Sequence, residues 1–236
     1  MNVIQLSTIA WLKKHKEYAT AKAGNIDAAY RLALSIFGNA KRLLKIKNLG
    51  LQYPSAIITG VHAEEETGRN KIPESHAKQI GILTGLEVDK EIVQKTRVYR
   101  TGKDEIYRLA YRPKFDGKVQ AGREYILIDD VTSKGGTLSE LNFYIEQNGG
   151  KVVQMVVAGA GRYSTNIALT EKTKTEIINI YGTIALQEFL KEHDIYAGNI
   201  GYLTESEARR IMAAGALNRT RDRIVKIRQA GNTQTD

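Results

Sequence analysis

The 236-residue chain contains no cysteine, which removes disulfides and thiolate chemistry from consideration. No apolar run approaches the roughly 20 residues that span a bilayer, and the opening stretch MNVIQLSTIAWLKKHKEYATAKAG lacks the charged-then-apolar order of an export signal. A soluble, cytoplasmic protein with no membrane partner is the expectation. His15, His76 and His193 are scattered without ligand spacing, so no zinc site is expected. Also missing are a Gly-x-Ser-x-Gly element and the Gly-x4-Gly-Lys-Ser/Thr phosphate loop. Gly159-Ala160-Gly161 lacks the third glycine of a dinucleotide fingerprint and reads as the close of a core strand. No internal repeat or low-complexity linker is found. What is present is 42% hydrophobic residues, enough for a sizeable core, and a formal net charge of +9. That balance favours anionic partners, either phosphorylated metabolites or a nucleic-acid backbone.

Apolar residues recur at three- and four-residue steps through IAWLKKHKEYATAKA and IDAAYRLALSIFGNAKRLLKIKNLG, so residues 1–50 are expected to be helical with basic outer faces. After Tyr53-Pro54, SAIITGV has the β-branched character of a buried strand. PESHAKQIGILTG then reads as a helix entered at Pro73 and closed near Gly85. EIVQKTRVYRT and IYRLAYRP are expected as paired strands around Gly102-Lys103-Asp104. EYILID is the clearest strand, LSELNFYIEQNGG a helix and KVVQMVVAGA a second strand; together they make a βαβ unit and imply a parallel sheet. Further on, TEIINIYG is expected as a short strand and TIALQEFLKEHD as a helix. LTESEARRIMAAG is a helix opened by the capping-box pair Thr204 and Glu207, and LNRTRDRIVKIRQAGN is a basic helix. The expected division is an N-terminal helical segment (1–50), an α/β core (51–185) and a basic C-terminal helical segment (186–236).

Within YILIDDVTSKGGTL, residues 125–138, an apolar strand runs into two adjacent aspartates and then a hydroxyl- and glycine-rich loop. Ligands of open parallel sheets collect beyond the carboxyl ends of the strands. The amides and hydroxyls of VTSKGGT can converge on an anion, helped by the start of the following helix. Two carboxylates beside such a cradle would repel a free anion, so they need other work: accepting hydrogen bonds from sugar hydroxyls, or holding a divalent metal. A ribose 5-phosphate satisfies both halves.

The stretch resembles the phosphoribosyl pyrophosphate (PRPP) motif of the type I phosphoribosyltransferases. GRNKIPESHAKQIG and TRVYRTGKDEIYRLAYRPKFDGKV, upstream of it, are similar to the ComF-like branch of that family, and the resemblance covers roughly residues 53–160. It implies an α/β type I phosphoribosyltransferase fold, a mainly parallel sheet flanked by helices with added terminal helical segments. It also implies that Asp129 and Asp130 bind the ribose hydroxyls, while Thr132, Ser133, Lys134, Gly135, Gly136 and Thr137 hold the 5′-phosphate. By the same resemblance, Thr59, Gly60, Val61 and His62 occupy the pyrophosphate loop, with Arg69 and Asn70 at the start of the next helix. Residues 97–118 would form a mobile flap, from which Lys103, Arg108 or Arg112 neutralises departing pyrophosphate. The family's Mg²⁺ is held mainly by substrate, with Asp129 and Asp130 as available ligands. The implied reaction transfers a phosphoribosyl group from PRPP to a nitrogen acceptor, a nucleobase or an amine, with release of pyrophosphate. Many members have threonine where this chain has Lys134.

The smaller signals stay open. The glutamates at 64–66 could draw Mg²⁺ or be a solvated face, and Arg97 and Arg100 divide between flap function and solubility. KKHKEYATAK, KRLLKIK and RTRDRIVKIR could bind nucleic acid, face solvent or form a homodimer contact. Against the enzyme stands a second reading: a non-catalytic PRPP-binding regulator or ComF-like DNA-processing accessory protein.

Overall fold

A computed structural model describes residues 3–61, 64–65, 68–96, 102–161 and 165–232. Strand β1 (Val3–Thr8) leads into α1 (Ile9–Lys14), α2 (Tyr18–Lys22), α3 (Ile26–Phe37) and α4 (Ala40–Gln52). Strand β2 (Ile57–Gly60) is followed by the short hairpin β3 (Glu64–Glu65) and β4 (Gly68–Arg69), then by α5 (Ile72–Thr84). Strands β5 (Glu87–Val88) and β6 (Val93–Gln94) come next, then α6 (Glu105–Ala110) and β7 (Phe115–Asp116). The long strand β8 (Glu124–Thr132), α7 (Gly136–Gln147) and β9 (Lys151–Ala160) make the expected βαβ unit. Helices α8 (Glu171–Tyr181), α9 (Thr183–Glu192), α10 (Glu205–Ala213) and α11 (Leu217–Asn232) follow.

Five strands form a sheet in the order β1-β9-β8-β2-β5, with every pairing parallel, and helices cover its faces. The α/β architecture expected from the sequence, a parallel sheet flanked by helices, is the one that forms. Strand β8 lies at its centre, and its side chains alternate. Ile126 and Ile128 enter the core under α3, α4 and α5, whereas Tyr125 and Leu127 enter the core shared with Leu138 and Leu141 of α7. Ile126, Leu127 and Ile128 are each at most 1% exposed, and full burial of such a side chain contributes about 1.5–3 kcal/mol. Those residues anchor the strand firmly enough to offset the cost of ending it in charge. A third core lies apart from the sheet, where Ile106 and Leu109 of α6 pack with Phe189, Ile211 and Ile224 from α9, α10 and α11.

Three sequence expectations are corrected. Residues 3–8 are a strand, because VIQLST pairs in register along β9, from Val3 opposite Met155 to Thr8 opposite Ala160. The stretch 105–110 is a helix: the Asp104 side chain accepts from the Tyr107 amide at 2.7 Å, and Ile106, Leu109 and Ala110 fall on one buried stripe. The stretch around TEIINIYG is likewise helical, since Thr170 caps α8 and Thr173 and Ile177, four apart, face inward. The capping box at Thr204 and Glu207 forms as expected, as does the helix carrying Pro73 in its first turn and ending at the left-handed Gly85, φ 75°.

Candidate functional site

The carboxyl end of β8 brings the two aspartates under cover: Asp129 is 7% exposed and Asp130 6%. Each turns an oxygen onto the backbone. Asp129 Oδ1 accepts from the Asp130 amide at 2.8 Å, and Asp130 Oδ1 accepts from the Val131 amide at 2.6 Å. Asp130 Oδ2 receives two donors from distant parts of the chain, Asn70 Nδ2 at 2.9 Å and Lys22 Nζ at 3.3 Å. Asn70 is placed by its own helix start, since its Oδ1 accepts the Ile72 amide at 3.1 Å. Lys22 ends α2, which is tied to the same turn by the Lys71 amide donating to Ala21 O at 3.2 Å. Burial, reinforced by the neighbouring Asp130 charge, holds the Asp129 carboxyl well above the usual carboxylate range. Lys22 stands against the dyad from the Asp130 side.

Thr132 ends the strand with its Oγ1 buried and without a protein partner, its side chain 3% exposed. Gly135 then turns the chain with φ 78° and opens α7 with no side chain to cap the first-turn amides. A Cβ at that position would lie 2.6 Å from the Ile167 side chain, so the turn requires glycine twice over. Gly136 is the first helical residue and is buried, and Thr137 follows half-buried. A helix start whose N-cap is a glycine, beside a buried hydroxyl without a partner among the described residues, is suited to an anion.

Ser133 and Lys134 are exposed and meet α6. Arg108 Nη1 donates to Ser133 Oγ at 3.2 Å, and Lys134 Nζ pairs with Glu105 Oε1 at 2.5 Å. The Lys134 charge is thus spent on α6. Lys103 Nζ lies 5.1 Å from the centre of the Tyr107 ring, and the Lys103 carbonyl accepts from Arg108 Nε. Arg112 is turned away from the loop altogether. It is buried, bonded to Glu140 and, at 2.8 Å, to Glu207, with its guanidinium 4.2 Å from the Tyr196 ring centre. The sequence assigned it to a flap; in the fold it ties α7 to α10. Arg97 and Arg100 lie outside the described residues.

Of the expected pyrophosphate loop, Thr59 is fully buried and gives its hydroxyl to Asp89 Oδ2 at 2.9 Å. Gly60 lies so close to the Pro73 carbonyl that a Cβ would sit 3.1 Å from it. Val61 donates its amide to Ile128 O at 2.8 Å, running the loop alongside β8. Arg69 is exposed at the end of β4, beside Asn70. His62 and the side chains of Glu64–Glu65 and residue 66 lie outside the described residues.

The donor set does not suit a magnesium ion held by the protein. Asp130 already faces an ammonium, and one oxygen of each aspartate is engaged by backbone amides, whereas Mg²⁺ demands near-octahedral oxygen ligands. No group of three histidines or acidic residues among the described residues could hold a metal. Sequence reasoning placed Lys22 in the basic stretch KKHKEYATAK and did not connect it with the aspartates, because 108 positions separate it from its partner.

No family model matches the chain. Among curated proteins it is 36% identical over 227 residues to protein TraN of Escherichia coli, covering 96% of this chain and 49% of that protein. It is 41% identical over 131 residues to an uncharacterized protein of Haemophilus influenzae, covering 56% and 29% respectively. The chain spans about half the length of the first of these relatives and less of the second. Among solved structures it is similar to an adenine phosphoribosyltransferase from Leishmania donovani, with TM-score 0.37 and 17% identity over 63% of each chain. It is also similar to a purine phosphoribosyltransferase from Pyrococcus horikoshii, with TM-score 0.35 and 16% identity over 70% of this chain and 83% of that one. This overlap is partial, and the site's own geometry carries the functional reading. No helix among the described residues is long and apolar enough to cross a membrane.

Proposed function

We propose that the end of β8 and the 132–137 loop form a pocket for a ribose 5-phosphate ester of the PRPP kind, and that the protein transfers the phosphoribosyl group to a nitrogen acceptor with release of pyrophosphate. The observation that carries this reading is the adjacency of two buried carboxyls to a glycine-opened helix start with an unpartnered buried hydroxyl. Asp129 and Asp130 take the 2′- and 3′-hydroxyls. The loop amides, Thr132 and Thr137 take the 5′-phosphate, and Gly135 and Gly136 give the phosphate its close approach. Arg108, already at Ser133, and Lys103 supply positive charge as pyrophosphate departs. The transition state of such a displacement resembles an oxocarbenium ion, so the work asked of the protein is positioning and charge placement. Upstream, Asn70 next to Arg69 is what supports the ComF-like branch.

The test is to incubate the protein with PRPP and a panel of nucleobases and amines and to follow pyrophosphate. Release with one of them is expected, and its loss in Asp130→Asn. That variant should keep its fold while PRPP affinity, read by titration calorimetry, falls about a hundredfold, or roughly 2.7 kcal/mol. Unchanged affinity would sink the assignment. PRPP binding without release for any acceptor selects the second reading, a non-catalytic PRPP-binding regulator. That reading is favoured by the packing of α6 into the third core and by the engagement of Arg112 there.

A nucleic-acid partner, as an accessory role, rests on the N-terminal face. Lys13, Lys14 and Lys16 at α1 and Lys41, Lys45 and Lys47 on α4 stand exposed, and Arg42 lies 5.4 Å from the Trp11 ring centre. The basic helix α11 is a poorer surface, because Arg221 and Arg223 are paired with Glu192 and Asp104, and Arg228 donates to two backbone carbonyls. Filter binding that is absent even at low salt would remove this partner.

A further inference from the structure

The aspartate pair is not an open acidic site awaiting a metal. Lys22 Nζ stands 3.3 Å from Asp130 Oδ2, a quarter exposed and within 5.9 Å of the Tyr18 ring centre one turn earlier. Asn70 Nδ2, from the opposite side of the sequence, donates to the same oxygen at 2.9 Å and is itself 2% exposed. From α5, His76 also faces Asp130, fully buried and held neutral by that burial. The chain thus sets a cation of its own against the dyad, two residues before Thr132 on the same strand.

We infer that this pocket takes its ribose-phosphate ligand without a divalent metal, with Lys22 supplying from within the chain the positive charge that lets a phosphate settle beside two aspartates. The inference rests on the ribose-phosphate reading of the pocket but not on catalysis. Lys22 is a positioning residue: it holds Asp130 where the sugar hydroxyls meet it and cancels the field that would push the phosphate away. A magnesium ion coordinated by Asp130 would have to stand beside the ammonium at like charge.

The probe is ribose 5-phosphate, which lacks a pyrophosphate that would bring its own metal. Titration calorimetry is run on the full chain in EDTA and again in millimolar Mg²⁺, with circular dichroism and melting curves on each variant. For the unaltered protein the two affinities should agree within about twofold. Lys22→Met should weaken binding about tenfold in EDTA and recover part of that loss in Mg²⁺, as the ion takes the vacated place. Lys22→Arg keeps the charge and should retain metal-free binding. Binding by the unaltered protein that collapses in EDTA overturns this inference and leaves the pocket reading standing, as does a Lys22→Met variant that binds normally in EDTA. No binding under either condition overturns both.

Discussion

The ionic cluster around Arg112 and the one around Asp130 are both buried, and they are built to opposite ends. Around Arg112 the charge is closed off by the chain: Glu140 from α7 and Glu207 from α10 both bind the guanidinium, Tyr196 lies against its face and donates to Glu207 Oε2 at 3.1 Å, and Glu207 also caps Thr204, although Arg112 Nη2 is buried without a hydrogen-bond partner among the described residues. Burial alone would lower the Arg112 pKa, but Glu207, Tyr196 and Glu140 hold it well above the ordinary value. Around Asp130 the protein stops short. One partly exposed lysine and one amide meet Asp130, and Thr132, two positions on, has a buried hydroxyl with no partner among the described residues. Burial of charge does not by itself mark a site. What separates the clusters is the balance of charge: the Arg112 cation meets two buried carboxylates of the chain, whereas the paired aspartates meet one partly exposed lysine.

The largest expected difference follows from removing the cation in each. Arg112→Met strands two buried carboxylates, and breaking a buried pair in this way costs about 3–5 kcal/mol, a fall in Tm of roughly 6–20 °C for a chain this size. Lys22→Met removes a partly exposed pair worth about 1 kcal/mol or less, so its melting curve should barely move while its metal-free ligand binding suffers. Chemical denaturation of both variants checks this. Equal losses would erase the distinction between closed and open clusters.

A second contrast concerns pH. His76 sits beneath the open cluster, its Nδ1 on Ile72 O at 2.7 Å, and burial lowers its pKa to about 4. The unfolded chain takes up this proton near the ordinary value of about 6.5 and the folded chain does not, so stability is lost as pH falls through that window. Asp129 works in the opposite sense: its carboxyl is raised in the fold and favours the folded state at the acid end. A His76→Gln variant isolates the histidine, because Asp129 is common to both proteins. The stability of the unaltered chain relative to the variant should fall by about 2–3 kcal/mol between about pH 7 and about pH 4.5. Parallel denaturation curves across that range would show that His76 does not titrate this way.

The same contrast explains what could be read from residue order. The open cluster's strand and loop were legible because its parts are contiguous: an apolar run, two acids, hydroxyls and glycines with a helix after them. Helix α5 was equally plain from Pro73 and Gly85. IYRLAYRP and TEIINIYG, expected as strands, belong to or overlap helices at 105–110 and 171–181, because short β-branched and aromatic runs masked a three- and four-residue spacing that only their partners in the third core make decisive. Strand β1 was missed because its sole support is β9, some 150 residues away. The partners of charge were the least legible. Arg112 meets Glu140 and Glu207 across 28 and 95 positions, so a residue expected to greet pyrophosphate is a brace between helices. Lys22 reads locally as the end of a basic stretch, and nothing near it in sequence points to Asp130.

The smallest and most discriminating effect concerns two hydroxyls. Ser139, near the closed cluster, donates to the Tyr202 carbonyl at 2.6 Å, so Ser139→Ala should cost about 1 kcal/mol of stability and leave ribose 5-phosphate affinity unchanged. Thr132 has no such partner. Thr132→Val keeps the shape and removes a buried polar atom that the protein leaves unsatisfied, so stability should hold or rise by up to about 1 kcal/mol. Affinity for ribose 5-phosphate should fall about tenfold, roughly 1.4 kcal/mol. Both changes remove a hydroxyl from a buried position, and the positions differ in whether the chain supplies a partner: a variant that becomes more stable as it loses its ligand is the behaviour of a hydroxyl kept for binding, and a Thr132→Val protein that loses stability with affinity intact would return that residue to the ordinary structure of β8.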